Sequence, residues 1–316
     1  MRKIIIAILL LTSLYSEAQI INASAPYRPT WAISCSYILD QYPNAAAAYS
    51  LRKLDCDYTG YAIKVRRSSD NTEQDIGFTS NGDLDTSTLK TFCGSNSGYV
   101  VTWYDQSGNA TNVSQSTSGY QPRIVNAGVV ERERKGAKPA VRFLSASFTY
   151  LDGGDILDLT ELYLNWYAAL DLPSANGSPF GKSKADNQNG RWSFLKESGT
   201  LYSILQTSSG DANSSVSYSN TDYSLFETYI NKSSDSNQLN KNGSQIAVST
   251  AAQDNSATNT TNSFFIGVYQ DGSGTAPLSG YYHNGHIGEL IVYRKYWNVT
   301  QRAAITSSIN SYYSIY

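Results

Sequence analysis

The residues of this chain that are best suited to ligand chemistry are aromatic. Tyrosine occurs 25 times among 316 residues, and each ring offers a flat apolar face together with a hydroxyl group. Residues 101–108, Val-Thr-Trp-Tyr-Asp-Gln-Ser-Gly, place Trp103 and Tyr104 on a predicted strand that runs into a polar turn. Such rings can stack on a sugar or fill the surface of a sheet, and the sequence leaves both interpretations open.

The sequence gives no pattern typical of a metal site. Histidine occurs only at His283 and His286, which flank an Asn-Gly pair and are predicted to be surface residues. Cys35, Cys56 and Cys93 lack the spacing of metal ligands, and an odd number leaves at least one thiol free or paired with another molecule. We predict no cofactor. A structural calcium ion stays open, because its oxygen ligands would converge from several loops and such a set has no local sequence pattern.

The charge balance narrows the class of partner. The chain has 24 Lys and Arg against 26 Asp and Glu, a net charge of −2, and only 16% of its residues are charged. A nucleic-acid or anionic-membrane partner would need a basic surface, so neither is expected. A neutral polar surface rich in rings suits a polysaccharide or other glycan, but it is also common in exported β-proteins. The oligomeric state is not indicated.

The first residues predict an export signal. Arg2 and Lys3 precede an apolar run at 4–14, and Ser16-Glu17-Ala18 supplies small residues at a cleavage site. We expect a signal peptide over 1–18, a lead-in segment over 19–44, and one domain over 45–316. No later run is apolar and long enough to span a bilayer, so the predicted location is secreted or at the extracellular surface.

Regularly spaced short strands between Ser, Gly and Asn turns predict an all-β, antiparallel β-sandwich with a short C-terminal helix. Asn242-Gly243 is a strong hairpin signal, and Asn298 with Gln301 predicts a capping box. Residues 139–316 resemble the concanavalin A-like lectin/glucanase sandwiches, including laminin-G-type modules. The predicted helical segments are 45–54, 84–92 and 298–313, and the main predicted strands are 61–67, 75–78, 99–104, 162–172, 191–195, 200–205, 226–231, 238–248, 264–269 and 286–294.

A more specific resemblance lies in the first half. Over residues 45–109 the chain resembles the catalytic domain of glycoside hydrolase family 54 α-L-arabinofuranosidases. The family also has a cysteine pair whose second member is replaced here by Gly98, so the small disulfide loop is missing. The matching residues are Arg52, Leu54, Tyr58-Thr59-Gly60, Val65, Arg67, Asp70, Phe92-Cys93 and Tyr104-Asp105-Gln106-Ser107-Gly108.

The resemblance implies two catalytic carboxyl groups, because glycoside hydrolysis needs one group to protonate the leaving oxygen and another to attack or stabilise the sugar. Asp271, in Ile-Gly-Val-Tyr-Gln-Asp, matches the context of the family's acid/base. Glu197, in Glu-Ser-Gly ahead of an aromatic strand, matches that of the nucleophile. Trp103, Tyr104 and Tyr269 are the candidate ligand-binding rings.

Other interpretations of these residues stay open. Asp271-Gly272 and Glu197-Ser198-Gly199 are also ordinary turns. Asp105 is predicted to cap a turn and Glu289 to be a buried structural carboxylate. Two functions are therefore weighed: an α-L-arabinofuranosidase acting on terminal arabinofuranosyl groups, and a non-catalytic carbohydrate-binding or adhesive module of a cell-surface or phage tail protein. The second needs exposed rings, with Tyr281 and Tyr282 as further candidates. A purely structural surface protein ranks behind both.

Overall fold

The computed structural model describes residues 35–135, 138–172, 175–183, 190–258 and 260–316. The chain divides into two units, Met1–Cys35 and Ser36–Tyr316. Apart from Cys35, the first unit lies outside the described residues, and so do the predicted signal peptide and most of the lead-in segment. None of the helices in the described part of the chain combines the length and the apolar character that crossing a membrane requires.

The unit Ser36–Tyr316 consists mainly of antiparallel strands. The α-helices are α1 (Ile38–Gln41), α2 (Thr86–Cys93) and α3 (Val299–Tyr313). The strands of the first half are β1 (Ala47–Ser50), β2 (Ile63–Arg67), β3 (Glu73–Ile76), β4 (Gly98–Trp103), β5 (Val113–Ser114), β6 (Arg123–Asn126), β7 (Val129–Val130), β8 (Val141–Phe143) and β9 (Leu151–Asp152). Those of the second half are β10 (Tyr163–Leu170), β11 (Gly177–Lys182), β12 (Arg191–Glu197), β13 (Thr200–Thr207), β14 (Gly210–Asp211), β15 (Ser214–Ser217), β16 (Ser224–Asn231), β17 (Ser236–Lys241), β18 (Ser244–Ser249), β19 (Phe264–Ile266), β20 (Val268–Gln270), β21 (Pro277–Tyr282) and β22 (Gly285–Tyr293).

The strands form two layers. In the first layer β22, β10, β16, β17 and β18 are successive neighbours, and β1 and β8 pair with the other edge of β22. In the second layer β9, β19, β11, β12, β13 and β15 are successive neighbours. The first-half strands β2, β3, β4 and β6 join this framework through β8. The hairpin β20–β21 stands beside β11.

Aromatic side chains fill the space between the layers. Trp166 on β10 lies 5.0 Å from Phe180 on β11 and 4.8 Å from Phe194 on β12, measured between ring centroids. Phe194 also lies 5.2 Å from Phe226 on β16. All four side chains are buried. The inward rings alternate along each strand with residues that face away from the core, as a pleated strand requires. The antiparallel β-sandwich predicted from the sequence is therefore confirmed.

The helix predicted at 45–54 is wrong, because this segment contains β1. Its alanines favour a helix intrinsically, but the segment pairs with β22 from Ala47 opposite Val292 to Ser50 opposite Glu289. Ala47 and Ala48 are completely buried, so burial and the partner strand override local propensity.

Helix α3 is confirmed together with its cap. The Asn298 side chain accepts from the backbone N–H of Gln301 at 2.9 Å, and the Gln301 side chain accepts from the N–H of Asn298 at 3.1 Å. The Asn242-Gly243 hairpin is confirmed as well. Both residues have positive φ, 52° and 77°, as the tight turn joining β17 to β18 requires.

Two carboxylates are structural, as predicted. Glu289 on β22 is fully buried and accepts from Arg52 at 2.7 and 2.8 Å and from Ser50 Oγ at 2.9 Å. Asp105 accepts from the backbone N–H groups of Ala48 and Ser107 at 2.8 and 2.9 Å. These bonds join the first-half segment to the sandwich and hold the turn after β4.

The cysteines and histidines differ in their surroundings. Cys35 and Cys56 are disulfide-bonded, whereas Cys93 is a free, buried thiol. The prediction that both histidines are surface residues is wrong. His283 has no exposed surface, and burial lowers its pKa to about 3. The His286 imidazole pairs with the buried carboxylate of Asp171.

Candidate active site

The candidate site begins with the alternation of β12. Trp192 and Phe194 point into the core, and the residues between them point to the opposite face. On that face Leu195 packs with Ile204 of β13 and Tyr269 of β20 in a small cluster separate from the main core. Strand β12 therefore supports the core with one face and builds a surface site with the other.

A cavity of about 360 Å³ lies on this outer face of β12 and β13, closed on one side by β20 and β21. This volume is within the range of small-molecule sites. Its lining combines aliphatic side chains, three tyrosines, one amide and two opposite charges. The lining residues are Arg191, Leu195, Glu197, Tyr202, Ile204, Asn213, Tyr269, Leu278 and Tyr281.

Glu197 lies at the end of β12, immediately before a two-residue turn. Glu197 pairs with Thr200 across the hairpin, and the intervening Ser198 and Gly199 have positive φ of 48° and 78°. This combination is typical of the tight turns that suit the twist of a hairpin. The turn fixes the carboxylate at the rim of the cavity, on a rigid element.

The carboxylate of Glu197 has a specific partner. The hydroxyl of Tyr281 donates a hydrogen bond to Glu197 Oε1. This hydrogen bond and, secondarily, burial raise the pKa of Tyr281 to about 12. The phenol therefore remains a donor at neutral pH and orients one carboxylate oxygen, leaving the other available for chemistry.

Arg191 provides the opposite charge. It lies six residues before Glu197 on the same face, which corresponds to about 20 Å along an extended strand. Its guanidinium donates to the hydroxyl of Tyr269 at 3.3 Å and lies 3.5 Å from Asp211 Oδ1. Burial raises the pKa of Tyr269, so this ring too presents a neutral hydroxyl. The cavity is therefore lined by both a cation and a carboxylate from the same face of β12.

Asp271 follows β20 directly, two residues after Tyr269. Its Oδ1 accepts from the backbone N–H of Ser273 at 2.9 Å and from Ser273 Oγ at 2.5 Å. These bonds, the hydroxyl first, lower the pKa of Asp271. Among the described residues, the set that lines the cavity includes Glu197 and Tyr269 but not Asp271.

The three candidate rings lie in different environments. Tyr269 lines the cavity. Trp103 is completely buried and lies 6.2 Å from the ring of Tyr49, so it has no face available to a sugar. Tyr104 is half-buried and its hydroxyl donates to Asp75 Oδ1 at 2.6 Å, outside the set of residues lining the cavity.

Sequence reasoning gave Arg191 no role and considered Tyr281 only as a possible exposed ring. Their contribution depends on which strands are neighbours, which no local pattern reveals. The sequence offers one signal for Arg191: it lies six positions before Glu197 on one strand, and an even spacing places both side chains on the same face. Within the described residues, no group of three or more His, Cys, Asp or Glu side chains gathers at the cavity.

Comparisons with known proteins agree with this fold. Residues 36–142 match the family model described as "Alpha-L-arabinofuranosidase B, catalytic". That region carries β1–β7 and most of β8, and it ends before the residues that line the cavity. A search of curated proteins found no match.

Solved structures extend the similarity across the sandwich. One is an arabinofuranosidase complexed with arabinofuranosyl-α-1,2-xylobiose, with a TM-score of 0.62 and 16% identity. Another is a family 54 α-L-arabinofuranosidase soaked with a cyclic sulfate inhibitor, with a TM-score of 0.60 and 15% identity. Each match covers 87% of this chain but 64% of the other chain. This chain therefore resembles the catalytic domain of the family 54 α-L-arabinofuranosidases, built on an antiparallel β-sandwich.

Proposed function

We propose that this protein is a secreted α-L-arabinofuranosidase that hydrolyses terminal arabinofuranosyl groups of a polysaccharide. The family match and the solved structures support a glycoside hydrolase-like function. The observation that carries the finer proposal is the Glu197 carboxylate, held by Tyr281 at the rim of a cleft lined by tyrosines. The predicted export signal supports secretion.

In the proposed mechanism Glu197 is the nucleophile. Its free oxygen attacks the anomeric carbon while an acid protonates the departing glycosidic oxygen, giving a glycosyl ester. The group that acted as the acid then removes a proton from a water molecule. That water hydrolyses the ester and restores the Glu197 carboxylate. Tyr281 is a positioning residue, because it holds the other oxygen of Glu197.

Asp271 is the proposed acid/base, on the basis of its sequence context. It directly follows β20, whose Tyr269 lines the cavity, which supports a location near the cleft. An acid for this step needs a raised pKa, whereas the bonds from Ser273 lower the pKa of Asp271 in the ligand-free protein. The proposal therefore requires Asp271 to leave Ser273 when substrate binds.

The test is release of 4-nitrophenol from 4-nitrophenyl α-L-arabinofuranoside. Glu197→Gln should lower kcat/KM by at least about 100-fold, as expected for loss of a catalytic carboxyl group. Asp271→Asn should lower kcat by at least about 100-fold, because hydrolysis of the glycosyl ester loses its general base, whereas 4-nitrophenol leaves with little help from an acid. Asp254→Asn is the matched control for Asp271, because Asp254 Oδ1 also accepts from the backbone N–H and the hydroxyl of the serine two residues on. Glu73→Gln on β3 is the control for Glu197.

The outcomes separate the two functions. Activity that is lost in both Glu197→Gln and Asp271→Asn and kept in both controls supports the enzyme. Activity that survives Asp271→Asn would move the acid role to another group. A folded wild-type chain that binds arabinose-containing glycans but releases no 4-nitrophenol would instead support the carbohydrate-binding module.

A further inference from the structure

A second groove lies on the other layer of the sandwich, between α3 and the outer face of β16, β17 and β18. Two adjoining cavities of about 450 and 180 Å³ share Tyr229, Gln238 and Arg302 in their linings. We call their combined surface the α3 groove. Among the described residues, none lines both the α3 groove and the cavity that contains Glu197.

Helix α3 divides its faces between the core and this groove. Ile305, Ile309 and Tyr313 pack into the apolar cluster against the sheet. Val299, Arg302 and Thr306, which follow the i, i+3, i+7 spacing of a second stripe, line the groove instead. The helix therefore covers only part of the sheet, and the uncovered part is a polar trough.

The sheet side of the groove is rich in amides. Tyr229 pairs with Gln238 across β16 and β17, and Asn240 pairs with Gln245 across β17 and β18. Gln238, Asn240 and Gln245 all line the groove. Each primary amide presents donors and an acceptor side by side, which matches the paired donor and acceptor character of neighbouring sugar hydroxyls.

Four buried polar atoms in this lining have no hydrogen-bond partner among the described residues. They are Asn240 Oδ1, Trp297 Nε1, Arg302 Nε and Thr306 Oγ1, and Asn240, Trp297 and Thr306 are only 8%, 6% and 3% exposed. Leaving a buried acceptor or donor unpaired costs about 1–3 kcal/mol. A bound ligand that supplies both donors and acceptors would reduce that cost, so these atoms point to an occupant with both kinds of group.

The small number of charged side chains in the groove indicates which class of ligand it binds. Arg302 is the single charged side chain among the described lining residues, and its guanidinium already lies 4.1 Å from the centre of the Tyr229 ring. At the other end the ring centroids of Tyr163 and Tyr296 lie 5.2 Å apart. Amides, aromatic faces and little charge are typical of a site for neutral sugars rather than for acidic ones.

We infer that the α3 groove is a second, non-catalytic binding site for a neutral oligosaccharide. The two adjoining cavities favour a chain of several sugar units over a single sugar. The inference stands independently of the proposed hydrolase, because it depends on residues of the opposite layer.

The test uses the full chain carrying Glu197→Gln, so that the proposed hydrolysis is suppressed. Isothermal titration with xylotetraose, arabinotetraose and cellotetraose should show binding of at least one. Asn240→Ala and Tyr296→Ala should each raise its Kd by about 10-fold, whereas Gln74→Ala on β3 and Tyr61→Ala should not. Tyr61 is the matched control, since it is 51% exposed and Tyr296 is 56% exposed.

Further measurements guard against misfolding and the wrong ligand class. The groove variants should keep the urea midpoint of the unsubstituted chain, which shows that they fold, and with native Glu197 they should hydrolyse 4-nitrophenyl α-L-arabinofuranoside as the unsubstituted chain does. Binding of none of the three neutral oligosaccharides, binding that both groove variants leave unchanged, or binding of tetragalacturonate alone would each overturn the inference.

Discussion

Glu227 on β16 gives the sharpest prediction about stability. Its side chain is completely buried. Its Oε1 accepts from the N–H of Gly243 at 3.1 Å, and burial raises its pKa to about 8 from an ordinary 4.5. The native state therefore holds a proton that the unfolded chain releases between pH 4.5 and 8. Because the native state binds more protons, unfolding becomes easier as the pH rises through this window.

The size of the effect follows from the shift. Each pKa unit corresponds to 1.36 kcal/mol, so Glu227 lowers the free energy of unfolding by about 3 kcal/mol at pH 7 and by about 5 kcal/mol above pH 8. Glu227→Gln keeps the acceptor for Gly243 and cannot ionise. The free energy of unfolding of Glu227→Gln minus that of wild type should therefore increase by about 5 kcal/mol between pH 4 and pH 8.5.

Urea denaturation at several pH values measures this difference directly. Glu73→Gln on the exposed end of β3 makes the same chemical change without burial, so its curve should run parallel to that of wild type. If the Glu227→Gln curve also ran parallel to wild type, the reasoning from burial to a raised pKa would be refuted.

Three further predictions concern the site and its framework. Glu289→Ala should lower the free energy of unfolding by about 3–5 kcal/mol in urea titrations, because the Arg52 side chain, only 11% exposed, loses the carboxylate it pairs with; an unchanged midpoint would contradict this. Tyr281→Phe should lower kcat/KM by about 10- to 100-fold without unfolding, since a hydrogen bond to a charged group contributes about 1.5–3 kcal/mol; unchanged kinetics would remove its positioning role. Ser273→Ala should raise the pKa of Asp271 and move the alkaline limb of the pH–rate profile to higher pH; an unmoved limb would argue against Asp271 as the acid.

Much of the second half could be predicted because its signals are local. The Asn242-Gly243 turn requires positive φ, and Asn298 with Gln301 satisfies the first turn of α3. These features depend on neighbouring residues alone. The segment at 45–54 could not be predicted in this way, since its alanines become β1 only through pairing with β22.

The candidate site could be predicted only in part. Sequence context identified Glu197 and Tyr269, and the structure brings both to one cavity. Tyr281 reaches Glu197 from a strand more than 80 residues away, and such a contact depends on the order of strands in the sheet. Trp103 shows the converse difficulty, because an aromatic strand residue can face the core as readily as a ligand.

The central claim is that Glu197 is the nucleophile of a glycoside hydrolase, and covalent trapping tests it most directly. The chain should be incubated with an α-L-arabinofuranosyl-configured cyclic sulfate, whose ring a carboxylate opens to form a stable ester, and then mapped by peptide mass spectrometry. We expect one mass addition, on the peptide containing Glu197, and none in Glu197→Gln. Labelling of another carboxylate, or no labelling of the folded wild-type chain, would contradict the claim.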